Sequence, residues 1–290
     1  MTTLLATLPG TVGTNGTAGA KRIAAAFARA REEGRAALIP YVVAGYPDAE
    51  TSLAIALAAA DAGADLLEIG LPYSDPLADG ATLQRASGVA IRAGATLEGS
   101  LRLLERIGAA RPDLPVVPMG YANQVIGGGD GEAVARRLAT AGAAGLIVAD
   151  LTPDEGGPFE VVARAAGLAV VYLIAPTTPP DRRAAIASRS GGFVYCVSLV
   201  GVTGARAALP RTVGRLIREV TAASPVPVAV GFGVSKPTHV RAIVAAGADG
   251  VIVASALVDA LGADGRDIAG LAGLVATLRA ATSRATAPEG

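Results

Sequence analysis

Eight short apolar runs alternate with helix-length stretches through the middle of this chain, and that alternation limits its fold more than any other feature. The runs are Leu38-Ile-Pro-Tyr-Val-Val43, Leu66-Leu-Glu-Ile69, Val116-Val-Pro-Met119, Gly145-Leu-Ile-Val148, Ala169-Val-Val-Tyr-Leu-Ile174, Phe193-Val-Tyr-Cys-Val197, Val226-Pro-Val-Ala-Val230 and Gly250-Val-Ile-Val253. Between them lie Ala-, Arg-, Leu- and Glu-rich stretches such as residues 50–62, 131–141 and 237–246. Near-continuous apolar strands separated by helices suit a parallel sheet covered on its outer face. Eight such units in a chain of 290 residues point to one closed (β/α)8 barrel. An open doubly wound sheet would place a glycine-rich dinucleotide turn after its first strand, and Ala44-Gly-Tyr-Pro47 is no such turn.

The expected architecture is therefore an α/β chain with a single TIM-type (β/α)8 barrel over residues 21–281, with an extra N-terminal helix. Residues 1–20 are expected to form a flexible extension, and residues 282–290 a flexible tail. An internal echo supports the count of units. Ala62-Gly-Ala-Asp65, Ala141-Gly-Ala-Ala144 and Ala246-Gly-Ala-Asp249 each end a helical stretch just before a strand. Glycine fits the position after a helix C-cap, so the echo marks αβ turns at the barrel floor and carries no chemistry.

Composition removes several functional classes. Lys plus Arg and Asp plus Glu number 25 each, so the chain lacks the positive excess of a nucleic-acid binder. No stretch reaches the ~18 apolar residues of a membrane helix, and the N-terminus has no basic, apolar leader pattern. The single Cys196 excludes an internal disulfide and fits a reducing cytoplasm, with a buried thiol as its plainest role. His239, the one histidine, falls on a helix beyond a loop and is expected to be exposed and passive. No His, Cys or carboxylate cluster has metal-ligand spacing, and no Lys lies inside a strand to form a Schiff base. No metal and no cofactor is expected.

Chemistry in a barrel sits at the C-terminal ends of its strands. Glu68 lies inside the second strand, facing opposite to Leu67 and Ile69 and so toward the barrel interior. A carboxylate there is costly unless paired, solvated or used, although a structural acceptor role also fits. The loop that follows, Leu71-Pro-Tyr-Ser-Asp-Pro-Leu-Ala-Asp-Gly80, adds Asp75 and Asp79. Asp75 suits a turn or a partner contact. Asp79 suits either a helix N-cap or the second member of an acid–base pair. Three glycine-bearing loops follow the last strands: Gly201-Val-Thr-Gly204, Gly231-Phe-Gly-Val-Ser235 and Ala254-Ser-Ala256. Backbone N–H groups there, with Ser255, suit a phosphate.

The run Leu67-Glu-Ile-Gly-Leu-Pro-Tyr-Ser-Asp-Pro-Leu-Ala-Asp-Gly80 resembles the signature of the tryptophan synthase alpha chain family. Tyr121-Ala-Asn123, Gly201-Val-Thr-Gly204 and Gly231-Phe-Gly-Val-Ser235 match further family blocks in order, and the likeness runs from about Lys21 to the last helix. The resemblance implies retro-aldol cleavage of indole-3-glycerol phosphate to indole and glyceraldehyde 3-phosphate. It casts Glu68 as the group that protonates indole C3 and Asp79 as acceptor of the indole N–H, with Tyr195 beside Glu68. Tyr41 and Met119 would line the indole pocket. Thr203, Gly204, Gly233, Ala254 and Ser255 would hold substrate at its phosphate end. Pro72, Asp75 and Asn123 match contacts to a pyridoxal-phosphate β subunit in an αββα heterotetramer.

Departures from the family pattern are Ala254 for glycine, Ala81 for proline, Gly120-Tyr-Ala-Asn-Gln124 for Thr-Tyr-Tyr-Asn-Pro, and the Asp150-Leu-Thr-Pro-Asp-Glu155 block. Two other readings stay open at this point: a stand-alone indole-releasing lyase of a specialised pathway, and a catalytically silent activator of a β subunit.

Overall fold

The computed structural model describes residues 16–197, 211–231 and 233–284. Nine parallel strand segments form one ring: β1 (Ala37–Val43), β2 (Leu67–Gly70), β3 (Val116–Gly120), β4 (Gly145–Val148), β5 (Ala169–Val171), β6 (Leu173–Ile174), β7 (Val194–Val197), β8 (Val228–Gly231) and β9 (Gly250–Val253). Their spatial order is β5-β4-β3-β2-β1-β9-β8-β7-β6. Since β5 and β6 are separated only by Tyr172, they are two halves of one barrel strand. The first half pairs β4 through Gly145↔Ala169, and the second pairs β7 through Leu173↔Tyr195. The Tyr195 N–H also donates to the Tyr172 carbonyl (3.0 Å). The eight expected strands are thus present, the fifth in two pieces.

Burial separates the two faces of each strand. Leu67 and Ile69 join Leu38, Val42, Leu146 and Val148 in the layer between strands and outer helices. Ile39, Tyr41, Val117, Ile147, Val171, Tyr195 and Ile252 fill the interior, the side to which Glu68 also points. Packed rows of branched and aromatic side chains make this interior a core and not a channel.

Helix α1 (Ala18–Glu32) closes the barrel floor. Its Phe27 ring lies 5.8 Å from that of Phe193. Gly19 is required there, because a Cβ on it would stand 1.7 Å from the Ala144 carbonyl oxygen. The helix begins three residues before the expected boundary at Lys21, because Thr17 caps it by accepting from the Ala20 N–H (3.1 Å). At the other end Thr282, expected in the flexible tail, is buried, and its carbonyl accepts from the Ala36 N–H (2.9 Å). The rest of the expected extension and tail, 1–15 and 285–290, lies outside the described residues.

The three echo glycines, Gly63, Gly142 and Gly247, have φ of 107°, 94° and 100°, just past the C-caps of α2 (Ala49–Asp61), α6 (Gly131–Thr140) and α10 (Pro237–Ala245). That left-handed region favours glycine, as the pattern predicts.

Outside the barrel, α7 (Pro153–Ala165) and α8 (Pro180–Arg189) are tied to the split strand by a charge network around the buried Glu160. Glu160 accepts from the Tyr172 hydroxyl and pairs with Arg189 (2.7 Å) and Arg164 (3.2 Å). Tyr172→Phe keeps the ring and removes one hydrogen bond to a charged group. It is expected to lower unfolding free energy by about 1–2 kcal/mol. Equal denaturation midpoints for the two proteins would show that the hydroxyl adds nothing to this junction.

Candidate active site

Glu68 sits in β2, in register with Tyr41 of β1 and Val117 of β3. It is 1% exposed, and among the described residues neither carboxyl oxygen has a hydrogen-bond partner. Burial and, after it, the charge of Asp79 push its pKa up to about 8. At neutral pH burial therefore favours Glu68 as the neutral acid. That state is stable there because ionising an unpaired carboxyl in an apolar interior costs more than keeping its proton.

Asp79 comes from the loop 71–80 and is half-buried. Burial raises its pKa to about 6, and a hydrogen bond from the Tyr121 side chain opposes that rise. It is not the N-cap of α3 (Ala81–Arg92). Gly80 holds that place and makes no side-chain cap bond, so the capping explanation for Asp79 fails. The charge of Asp79 thus reaches Glu68 while the two ionisations stay separated, the arrangement an acid–base pair needs.

Two tyrosines flank Glu68. Tyr41 and Tyr195 are 5% and 4% exposed, and burial with the nearby carboxyls lifts both phenols well above their ordinary pKa. Each hydroxyl rests on a glycine of a neighbouring strand. A Cβ on Gly70 would stand 1.8 Å from the Tyr41 oxygen, and one on Gly231 would stand 2.5 Å from the Tyr195 oxygen. Met119, paired with Gly70, completes this wall and is buried.

Across the barrel mouth, Gly233 follows β8 with φ 76° and is exposed. Ala254 is the N-cap of α11 (Ser255–Ala260), and Ser255 is its first residue. Thr203 and Gly204 lie outside the described residues. Pro72 is half-buried, whereas Asp75 and Asn123 are exposed, and Leu77 beside them is 83% exposed. His239 departs from expectation: it is half-buried, and its Nδ1 accepts from the Ser235 N–H (3.4 Å), bracing the turn into α10.

Sequence reasoning assigned no part to Tyr121. It is 4% exposed, and its hydroxyl accepts from the Ala78 N–H (3.1 Å) while meeting Asp79. Its place just past a barrel strand was the available signal.

A closed parallel barrel whose C-terminal face gathers two carboxyls with raised pKa and a pair of buried phenols defines an α/β-barrel enzyme. The chain belongs to the tryptophan synthase alpha chain family. The profile of that family matches residues 27–283. The tryptophan synthase alpha chain of Roseiflexus castenholzii is 45% identical over 240 residues, covering 83% of this chain and 91% of the relative. That of Chloroflexus aggregans is 43% identical over 265 residues, covering 91% and 98%. Among solved structures, Mycobacterium tuberculosis tryptophan synthase matches with a TM-score of 0.83 at 40% identity, over 91% of this chain and 98% of that one. The tryptophan synthase complex of Pyrococcus furiosus matches with a TM-score of 0.77 at 35% identity, over 84% and 98%.

Proposed function

We propose that this member of the family cleaves indole-3-glycerol phosphate to indole and glyceraldehyde 3-phosphate, with Glu68 and Asp79 as its acid–base pair. The observation that carries the reading is Glu68: a carboxyl within a barrel strand, unpaired on both oxygens among the described residues and protonated up to about pH 8. Protonation of indole C3 by Glu68 places positive charge on the ring nitrogen, whose N–H donates to Asp79. The Glu68 carboxylate then takes the proton of the glycerol hydroxyl next to the ring. The hydroxyl oxygen forms the aldehyde C=O, the C–C bond breaks, and its electron pair returns to the ring. A carbon-protonated indole is a good leaving group, so the scheme needs neither Schiff base nor metal.

Tyr41 and Tyr195 remain neutral and shape the pocket around Glu68, with Met119 against the indole. Gly233, Ala254 and Ser255, joined by Thr203 and Gly204, take the phosphate through backbone N–H groups and a hydroxyl. The exposed face with Pro72, Asp75 and Asn123 receives a β subunit in an αββα assembly. The relatives solved as tryptophan synthase and as a tryptophan synthase complex support that partnership. Among the described residues no helix is long and apolar enough to cross a membrane, which agrees with a cytoplasmic biosynthetic role.

The pair sets a pH dependence. The value of kcat/KM for indole release reports the free enzyme. It is expected to fall below about pH 6 as Asp79 takes up a proton, and above about pH 8 as Glu68 loses one. The two limbs belong to the coupled pair and not to either residue alone. A profile flat across both limbs would remove the pair from the rate-determining chemistry.

A further inference from the structure

Gln124, in the one-turn helix α5 (Ala122–Val125) after β3, joins two loops with one carboxamide. Its Nε2 donates to the Pro72 carbonyl (2.8 Å), and its Oε1 accepts from the Tyr121 N–H (3.2 Å). Beside it, Asn123 Nδ2 donates to the Tyr73 hydroxyl (3.0 Å), and the Tyr73 and Tyr121 rings stack at 5.2 Å. The Tyr121 hydroxyl then accepts from the Ala78 N–H, one residue before Asp79. Loop 71–80 is thus fastened to the turn after β3 at its start, along its length and beside Asp79. Gly120 leaves the room for this, since a Cβ there would come within 3.2 Å of both Gln124 Oε1 and Leu71 Cδ1.

Resting on the reading of Asp79 as a catalytic carboxylate, we propose that Gln124 is a positioning residue for Asp79, acting through Tyr121. A glutamine at this place in a short helix has an ordinary local use, which is to cap the Tyr121 N–H. That use accounts for the Oε1 contact and leaves the Nε2 contact to Pro72 unexplained. The second contact spans 52 residues of sequence and ends on the loop that carries Asp79. With Tyr121 and Pro72 held by one planar group, the Tyr121 hydroxyl has a fixed place from which to accept the Ala78 N–H and so to set the backbone next to Asp79. A loose loop would leave that carboxyl free to leave the indole side of the pocket, and misplacement on that scale costs rate.

The test compares the full chain with Gln124→Leu, which removes both bonds, and Gln124→Glu, which keeps an acceptor for Tyr121 and loses the donor to Pro72. Amide hydrogen exchange over residues 71–80 is read together with the pH profile of kcat/KM for indole release. Both variants are expected to exchange faster in that loop. Their kcat/KM should fall roughly tenfold or more. Their acid limb should move above its position near pH 6, because Asp79 loses the nearby Tyr121 side chain, which holds its pKa down. Unchanged exchange overturns the proposal, and so does a lower rate with the acid limb unmoved, which would mark a general loss of fold. A silent wild-type chain would instead defeat the substrate reading on its own. The exchange data would then decide whether Gln124 fastens the loop.

Discussion

Glu68→Gln is expected to abolish indole release and, at the same time, to make the folded chain more stable in alkaline buffer. The first effect follows from removing the acidic proton that the Glu68 carboxyl holds in the barrel interior. General acid–base catalysis is worth roughly 10²–10⁴-fold, so the residual kcat/KM should fall by about 10³-fold. The second effect follows from linkage. In the folded chain Glu68 ionises at about 8, against an ordinary 4.5, so the folded state binds the extra proton between those values. Stability from the protonated form is complete below about pH 4.5 and is lost as pH rises through about 8. At about 1.4 kcal/mol for each pH unit, the loss is on the order of 5 kcal/mol once Glu68 has ionised. Glutamine carries no charge to desolvate and escapes that loss. Denaturation midpoints of the two proteins should therefore nearly agree below about pH 4.5, diverge in favour of the variant as pH rises, and differ most above about pH 8. A variant that is inactive and gains nothing in alkali would mean that Glu68 finds a partner or solvent when it ionises.

Gly70→Ala is expected to cost at least about 10²-fold in kcat/KM through a single methyl group. The added Cβ would lie 1.8 Å from the Tyr41 oxygen and 2.3 Å from its Cζ, closer than non-bonded atoms approach. Tyr41 cannot yield easily, because it is buried in the barrel interior and pairs with Glu68 across β1 and β2. The strain must go into the tyrosine ring, the strand end or both, at a stability cost of about 1–3 kcal/mol. Any of these displaces Glu68 or the loop to Asp79. Tyr41→Leu removes the clashing atoms, so the double variant should recover the stability that Gly70→Ala loses. It should not recover the full rate, since the wall beside Glu68 stays altered. Near-normal turnover in Gly70→Ala would show that the Tyr41 ring can swing aside without touching the chemistry.

The parts of this molecule that read plainly from sequence are those fixed by periodicity and local backbone rules. The alternation of apolar runs yields the barrel. The Ala-Gly-Ala echo yields the αβ turns, because a left-handed residue after a helix is a local requirement. Glu68 is conspicuous for a similar reason: a charge inside an apolar strand breaks the pattern of its neighbours. Asp79, Tyr195 and the loops proposed to take the phosphate became legible as a set only through the family resemblance, since each alone suits a cap, a core or a turn.

What stayed hidden depends on contacts between distant segments. The split of the fifth strand at Tyr172 arises because its halves pair with different neighbours. The buried end of Thr282 depends on the Ala36 N–H, and the half-burial of His239 on the Ser235 N–H. Tyr121 and Gln124 act across loops that are 43 and 52 residues apart in sequence, a reach that no window along the chain displays.

The most direct test of the central claim is the initial rate of indole release from indole-3-glycerol phosphate by the purified chain, alone and with a tryptophan synthase β subunit. Glu68 and Asp79 acting as the acid–base pair would give measurable release by the chain alone and a higher rate with the partner. No release in either condition from folded protein would contradict the assignment of substrate and of Glu68 and Asp79 to its cleavage.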